Sequence, residues 1–348
     1  MRARQADASG YAERDGVRLH WETFGTGDTT IALLPTWSIL PSRFWKAQVA
    51  TLARRHRVVT FDGRGAGMSS KPVGRDAYTH LEFADDIGAV LDATGTQRAV
   101  LVALSRGAMW AVQFAADHPD RTAGIVAIGP AVDLAPGLRD GVEHVFDEQL
   151  DTTDGWAKYN SHYWEHDYQG FLEFFFGQMF HEPHSTKQIE DCVAWGLEIQ
   201  PATLADTTRG ERLYSQERFR EACARVEAPV LVIHGKHDHI VSHNQGAALA
   251  ELTGGQLVTI VGGGHGPQGR DPIVVNRLIE EFVDLIRPVP RHRTWVRAAR
   301  RPKRALYISS PIGLGHALRD ATIADELRKV HPDLHIDWLA QHPVTNVL

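Results

Sequence analysis

Residues 98–107 read Arg98-Ala99-Val100-Leu101-Val102-Ala103-Leu104-Ser105-Arg106-Gly107, and a stretch able to continue as helix follows over 108–118. The apolar run has the pattern of a buried strand. One serine then separates strand from helix, with small residues two before it and two after it, Ala103 and Gly107. This order forces the serine backbone into a strained conformation, so that its hydroxyl stands clear of its neighbours. The small residues let strand and helix approach. The helix start aims backbone N–H groups at any anion forming there. The usual pattern for such an elbow is Gly-x-Ser-x-Gly, and Ala103 departs from it by one methyl. A serine beside a glycine is by itself an ordinary loop feature; the flanking strand and helix favour the functional reading.

A serine hydroxyl is a poor nucleophile at neutral pH and needs a base, which needs an orienting acid. Two later segments have the right form. The apolar run Ala228-Pro229-Val230-Leu231-Val232-Ile233 empties into His234-Gly235-Lys236-His237-Asp238, and Gln256-Leu257-Val258-Thr259-Ile260-Val261 ends in Gly262-Gly263-Gly264-His265. An acid and a histidine thus each follow a predicted buried strand, at the edge where open α/β sheets bind ligands.

Residues 11–285 resemble an α/β-hydrolase-fold protein. The resemblance is carried by Ile31-Ala32-Leu33-Leu34-Pro35, by Val58-Val59-Thr60-Phe61-Asp62-Gly63-Arg64-Gly65-Ala66-Gly67-Met68-Ser69, by the serine elbow, and by the two loops just quoted. The chain order Ser105, Asp238, His265 is also that of this family. The resemblance implies a mostly parallel central sheet with helices on both faces and a helical cap. It also implies acyl-type hydrolysis without a cofactor, with Ser105 as nucleophile, His265 as base and Asp238 as its partner. A serine at this position argues against haloalkane dehalogenase and soluble epoxide hydrolase chemistry, where relatives use aspartate.

The chain carries 19 histidines, so most have other duties, and His237 and His239 are expected to be bystanders. His265 differs because three glycines let its loop bend toward the sheet edge. Asp133, after a strand expected over 122–128, is a rival acid; the glycine-bearing loop before Asp238 favours the latter. Two backbone N–H groups would form the oxyanion hole. One comes from Arg106, and the other from Pro35-Thr36-Trp37-Ser38, where many relatives have His-Gly. Pro35 has no N–H, so Trp37 is the candidate and Thr36 the second choice. Arg64 lies in a glycine-rich stretch without the Lys-Ser/Thr of a phosphate loop, and is expected to bridge backbone carbonyls.

The 348 residues are 43% hydrophobic and 23% charged, ordinary for a globular protein. A net charge of -6 gives no general attraction to nucleic acid. Cys192 and Cys223 make no disulfide framework and are expected to be reduced. No metal-ligand cluster stands out. No stretch has the leader pattern or the ~18–20 apolar residues of a span, and a cytoplasmic location is expected.

A hairpin is expected over 11–24 and an amphipathic helix over 81–93. From about 133 to 226 the β-α alternation stops and aromatic-rich helices follow, where this fold carries its cap. The aromatics there suit an apolar or ring-bearing small-molecule substrate, and equally the cap's own core. Glu190 and Asp191 read as a solvated helix face. Residues 287–303 are rich in cations and read as a basic linker. A new pattern starts at 304: strand, Pro311-Ile312-Gly313-Leu314-Gly315-His316, a helix over 317–330 and a strand over 335–340. This βαβ unit resembles the opening of a GT-B glycosyltransferase, with His316 where some members hold a base. It is expected to be a truncated domain that cannot bury its own sheet faces.

The expected activity is cleavage of an ester, lactone or related acyl bond. A carbon–carbon bond hydrolase or cofactor-free perhydrolase on the same triad, a non-catalytic binding protein, and part of a bifunctional hydrolase–glycosyltransferase are the alternatives.

Overall fold

Asp15 and Gly16 adopt φ of 49° and 77°, the pair of positive values that a type I′ turn requires. They fold strand β1 (Ala8–Arg14) back on β2 (Val17–Phe24), which gives the expected hairpin. In this computed structural model the described residues are 4–136, 145–211, 213–286, 303–308, 314–340 and 345. The chain divides into two compact units, Met1–Val289 and Pro290–Leu348.

The first unit continues with β3 (Thr30–Leu33), α1 (Lys46–Leu52), β4 (Arg57–Phe61), α2 (His80–Ala93), β5 (Ala99–Leu104), α3 (Gly107–Asp117) and β6 (Thr122–Ile128). Helices α4 (Ser161–His166), α5 (Tyr168–Met179), α6 (Thr186–Gly196), α7 (Pro201–Glu211) and α8 (Gln216–Ala224) follow. Then come β7 (Val230–Gly235), α9 (His243–Thr253), β8 (Gln256–Ile260), the single turn α10 (Pro267–Arg270) and α11 (Pro272–Ile286). The eight strands form one sheet in the order β1-β2-β4-β3-β5-β6-β7-β8. β2 runs antiparallel to β1 and β4, and every later pairing is parallel. This is the α/β-hydrolase fold with the mostly parallel sheet that the sequence led us to expect.

Strand β5 is buried on both faces, and its side chains alternate between two cores. Val100, Val102 and Leu104 join a cluster with α1, α11 and the aromatic helices α4 and α5. Leu101 and Ala103 join the opposite cluster, with α2, α3, α8 and α9. So α8 packs through Phe219, Ala222 and Cys223 beside α3, on the far side of the sheet from the aromatic helices. Those aromatic helices pack ring on ring: Trp164 lies 4.4 Å from Phe171 and 4.8 Å from Phe146, centroid to centroid. Most of the aromatic density is therefore their own core.

Thr79 caps α2, which starts one residue earlier than expected, its hydroxyl accepting the Glu82 N–H. Arg64 departs from expectation more instructively. It does reach one carbonyl, that of Ala77, but its main partner is the fully buried Asp86, which takes two bonds of 2.7 Å. A buried guanidinium needs a counter-charge, and only a carboxylate provides one. Asp191 is likewise not solvated: it holds both Lys46 and Lys187, while Glu190 is exposed.

The second unit is a βαβ unit. β9 (Lys303–Ile308) and β10 (Leu334–Leu339) pair in parallel, joined through α12 (Leu314–Val330). Both strands alternate half-buried and exposed residues, so one sheet face is covered and Leu306, Ile308 and Leu339 on the other are open. The basic stretch 287–302 and Gly313 of the glycine-rich turn lie outside the described residues.

Candidate active site

Ser105 follows the last residue of β5 and adopts φ of 55°, a left-handed conformation that costs a non-glycine residue about 1–3 kcal/mol. Bonds on both sides hold it there. Its N–H donates to Ile128 of β6 at 2.9 Å, and its carbonyl accepts from Ala108 and Ala131, each at 3.1 Å. Gly107 carries the close approach: a Cβ there would stand 2.3 Å from the Pro35 carbonyl oxygen and 3.5 Å from the Ala103 methyl. The bare backbone at 107 is thus needed for Pro35, while the Ala103 methyl keeps an ordinary van der Waals distance.

The other candidates gather at the same sheet edge. Asp238 follows β7 with its side chain wholly buried, and His265 follows β8 with its ring 2% exposed. The two meet: His265 Nδ1 donates to Asp238 Oδ2 at 2.8 Å. Asp238 Oδ1 accepts the N–H groups of Ile240 at 2.8 Å and Val241 at 2.9 Å. Burial pushes the Asp238 carboxyl up. The charge on His265 and the hydrogen bonds from His234 and His265 outweigh that, and hold it well below the usual carboxylate range. The rival Asp133 is exposed, and the carboxylate on His265 belongs to Asp238. His237 and His239 are exposed, and the His239 ring stacks on that of His181 at 3.9 Å.

Ser105, Arg106 and His265 line one cavity together with Thr36, Trp37, Phe175, Phe176 and Met179. Its free volume is only about 20 Å³, roughly the room one water needs. Trp37 contributes more than a backbone. Its indole Nε1 donates to Thr207 of α7 at 2.8 Å, and the Arg106 guanidinium lies 4.3 Å over its ring. Arg106 is itself buried, with Nη2 donating to Tyr159 Oη at 3.0 Å and lying 2.6 Å from Glu211 Oε2.

Two participants carry weaker sequence signals. His234 Nε2 lies 3.1 Å from Asp238 Oδ2 and 3.3 Å from the Val241 carbonyl. Its only mark in the sequence is a place four residues before the acid. Gly129 ends β6 with φ of 45°, and a Cβ there would stand 3.2 Å from His265 Nδ1. Among the described residues, no group of three or more His, Cys, Asp or Glu side chains could hold a metal ion, and no helix is long and apolar enough to cross a membrane.

The model of the alpha/beta hydrolase fold family matches residues 34–272. The bifunctional esterase/perhydrolase DCH of Acinetobacter calcoaceticus is 27% identical over 278 residues, 78% of this chain and 97% of that protein. Among solved structures, Est816, described as an N-acyl homoserine lactone degrading enzyme, is 25% identical, with a TM-score of 0.64 over 78% of this chain and all of that one. The enol-lactonase from Burkholderia xenovorans LB400 shares the fold at 21% identity, with a TM-score of 0.66 over 79% of this chain and 99% of that one.

Proposed function

Because the chain belongs to the alpha/beta hydrolase fold family and is a hydrolase, we propose that it cleaves an ester, lactone or related acyl bond through Ser105, His265 and Asp238. The observation that carries this reading is the 2.8 Å bond from His265 Nδ1 to Asp238, made beside the cavity that Ser105 shares with His265. A ring that donates through Nδ1 keeps the lone pair of Nε2 for accepting a proton. The steps follow. His265 Nε2 takes the Ser105 proton as Oγ bonds to the substrate carbonyl carbon. The carbonyl electrons move onto oxygen. When they return, the leaving alcohol departs with the proton from His265. Water then repeats the sequence on the acyl-enzyme and releases the acid. Asp238 stays ionised and fixes the imidazole tautomer.

The developing oxyanion would be held by the backbone N–H of Arg106, at the start of α3, and that of Trp37, with Thr36 as second choice. Each such donor is worth about 3–4 kcal/mol of transition-state stabilisation. The apolar wall of Phe175, Phe176 and Met179 suits an apolar substrate. A free volume of about 20 Å³ favours a small acyl group unless that wall yields. The relative named esterase/perhydrolase supports a second reading, in which hydrogen peroxide replaces water as the acyl acceptor.

A fluorophosphonate probe tests the assignment. It is expected to label one residue, Ser105, with a burst on a nitrophenyl ester. An unlabelled Ser105 would overturn its assignment as the nucleophile. For the second unit, the parallel βαβ arrangement with His316 on α12 supports a glycosyltransferase-like fragment. Absence of nucleotide-sugar binding would leave it an appendage without that role.

A further inference from the structure

Two carboxylates on the segment between β6 and β7 reach the two loops that carry the reaction, one from each side. Glu182 stands between α5 and α6, its side chain 9% exposed. Its Oε1 accepts the N–H of Gly264 at 2.7 Å, and Gly264 is the residue before His265. A Cβ at 264 would stand 3.1 Å from that oxygen and 2.9 Å from His181 Nδ1, so the contact needs bare backbone. The other oxygen, Oε2, is buried without a hydrogen-bond partner among the described residues. Its nearest ionisable neighbour is the His181 ring, with Nδ1 at 3.9 Å, which burial pushes toward the neutral form. Burying a carboxylate this way is costly, and general surface solubility does not account for it.

Glu211 ends α7, and its Oε2 lies 2.6 Å from Arg106 Nη2. Arg106 is the residue after Ser105, and its guanidinium pairs with this carboxylate while lying 4.3 Å over the Trp37 ring. One glutamate therefore ties down the neighbour of the proposed base, and the other the neighbour of the proposed nucleophile.

We propose that Glu182 and Glu211 are positioning residues that complete the Ser105–His265 geometry, Glu182 through the Gly264 backbone and Glu211 through the Arg106 side chain. The inference rests on the triad reading above. Neither carboxylate touches substrate. Phe175, Phe176 and Met179, which close the cavity, stand on α5 directly ahead of Glu182.

The test uses the full chain with Glu182→Ala, Glu182→Gln and Glu211→Gln. Four quantities are read: kcat and KM on nitrophenyl acetate, the rate of inactivation by a small organophosphate, and the thermal midpoint. Glu182→Ala is expected to lower kcat and the inactivation rate about 10- to 100-fold, the scale of a misplacement near 1 Å, with KM within about twofold. Glu182→Gln keeps an oxygen for the Gly264 N–H, in a bond about half as strong, and is expected to recover most of that loss. Glu211→Gln is expected to lower kcat by a similar factor while the chain stays folded. Unchanged kcat in the folded variants, with only the thermal midpoint lowered, would overturn the inference and leave a structural role. A raised KM at constant kcat would make the carboxylates substrate contacts instead. A wild-type chain that the phosphonate leaves unlabelled at Ser105 removes the triad reading itself. A labelled wild type with unaltered variants removes this inference alone.

Discussion

His234 Nε2 lies 3.1 Å from Asp238 Oδ2, the same oxygen that accepts the His265 Nδ1 bond at 2.8 Å. One carboxylate oxygen thus serves two imidazoles, while the other serves two backbone N–H groups. Only a full carboxylate can accept on both sides. Asp238→Asn turns an NH2 group toward one pair of donors. It is expected to lower kcat about 10³- to 10⁴-fold with an unchanged far-UV circular dichroism spectrum. Activity within tenfold of wild type would show that Asp238 does not orient His265.

Replacing Ser105 separates chemistry from backbone strain. Ser105→Ala is expected to lower acyl hydrolysis more than about 10³-fold and to keep the strained φ of 55°. Ser105→Gly is equally inactive and relieves the left-handed conformation, so it should exceed Ser105→Ala in unfolding free energy by about 1 kcal/mol. Urea titration of the two variants checks the difference, and equal midpoints would count against strain at the elbow.

Gly129→Ala places a methyl 3.1 Å from the His265 carbonyl oxygen and 3.2 Å from its Nδ1, at a φ that side chains rarely adopt. The expected cost is about 1–3 kcal/mol of stability, with kcat reduced about tenfold or more as the ring shifts. Steady-state kinetics beside a denaturation curve measure both.

Asp86 is the fully buried partner of Arg64 and also accepts from Arg14 Nε at 3.1 Å. Asp86→Ala leaves the buried Arg64 guanidinium with only Glu82, 2.9 Å from its Nη1, as counter-charge, and is expected to destabilise the chain by about 3 kcal/mol. Asp86→Asn, which keeps the shape, should cost less. A smaller effect for alanine than for asparagine would contradict this account.

His80 makes stability fall with acid. It is fully buried beneath Trp110, whose Nε1 donates to His80 Nδ1 at 2.9 Å, so the ring is neutral. Burial pushes its pKa down to about 4, with a smaller opposing pull from Glu211 and a small further push from Arg106. The unfolded chain protonates this histidine near its ordinary pKa of about 6.5, so between there and about 4 the unfolded state binds the extra proton. Stability is therefore full above that window and falls as pH drops through it, by up to about 3 kcal/mol. His80→Gln should flatten that limb when urea midpoints are compared at several pH values.

What the sequence makes legible is what lies close together along it. The strand, serine turn and helix around Ser105 occupy one short stretch, and each of the loops holding Asp238 and His265 follows its own apolar run. The alternation of β5 between two cores follows from its continuous apolar character. Pairings across distance leave no such trace. Nothing near Arg64 points to Asp86 on α2, and nothing near Arg106 points to Glu211 at the end of α7. Phe219, Ala222 and Cys223 show a helical stripe, yet a stripe does not say which side of the sheet it faces. His234 was hidden because, inside an apolar strand, it resembles any satisfied core histidine.

Trp37 sits 5.3 Å from Phe175, 5.9 Å from Trp164 and Tyr159, and 6.2 Å from Phe171, centroid to centroid. The indole belongs to the loop after β3, and these four rings to the helical insert above it. Its emission is thus a built-in gauge of distance between the two. In a chain whose other eight tryptophans are replaced, lifting the insert would wet the ring and move its fluorescence toward the red, so opening during turnover becomes visible by stopped-flow optics without any attached dye.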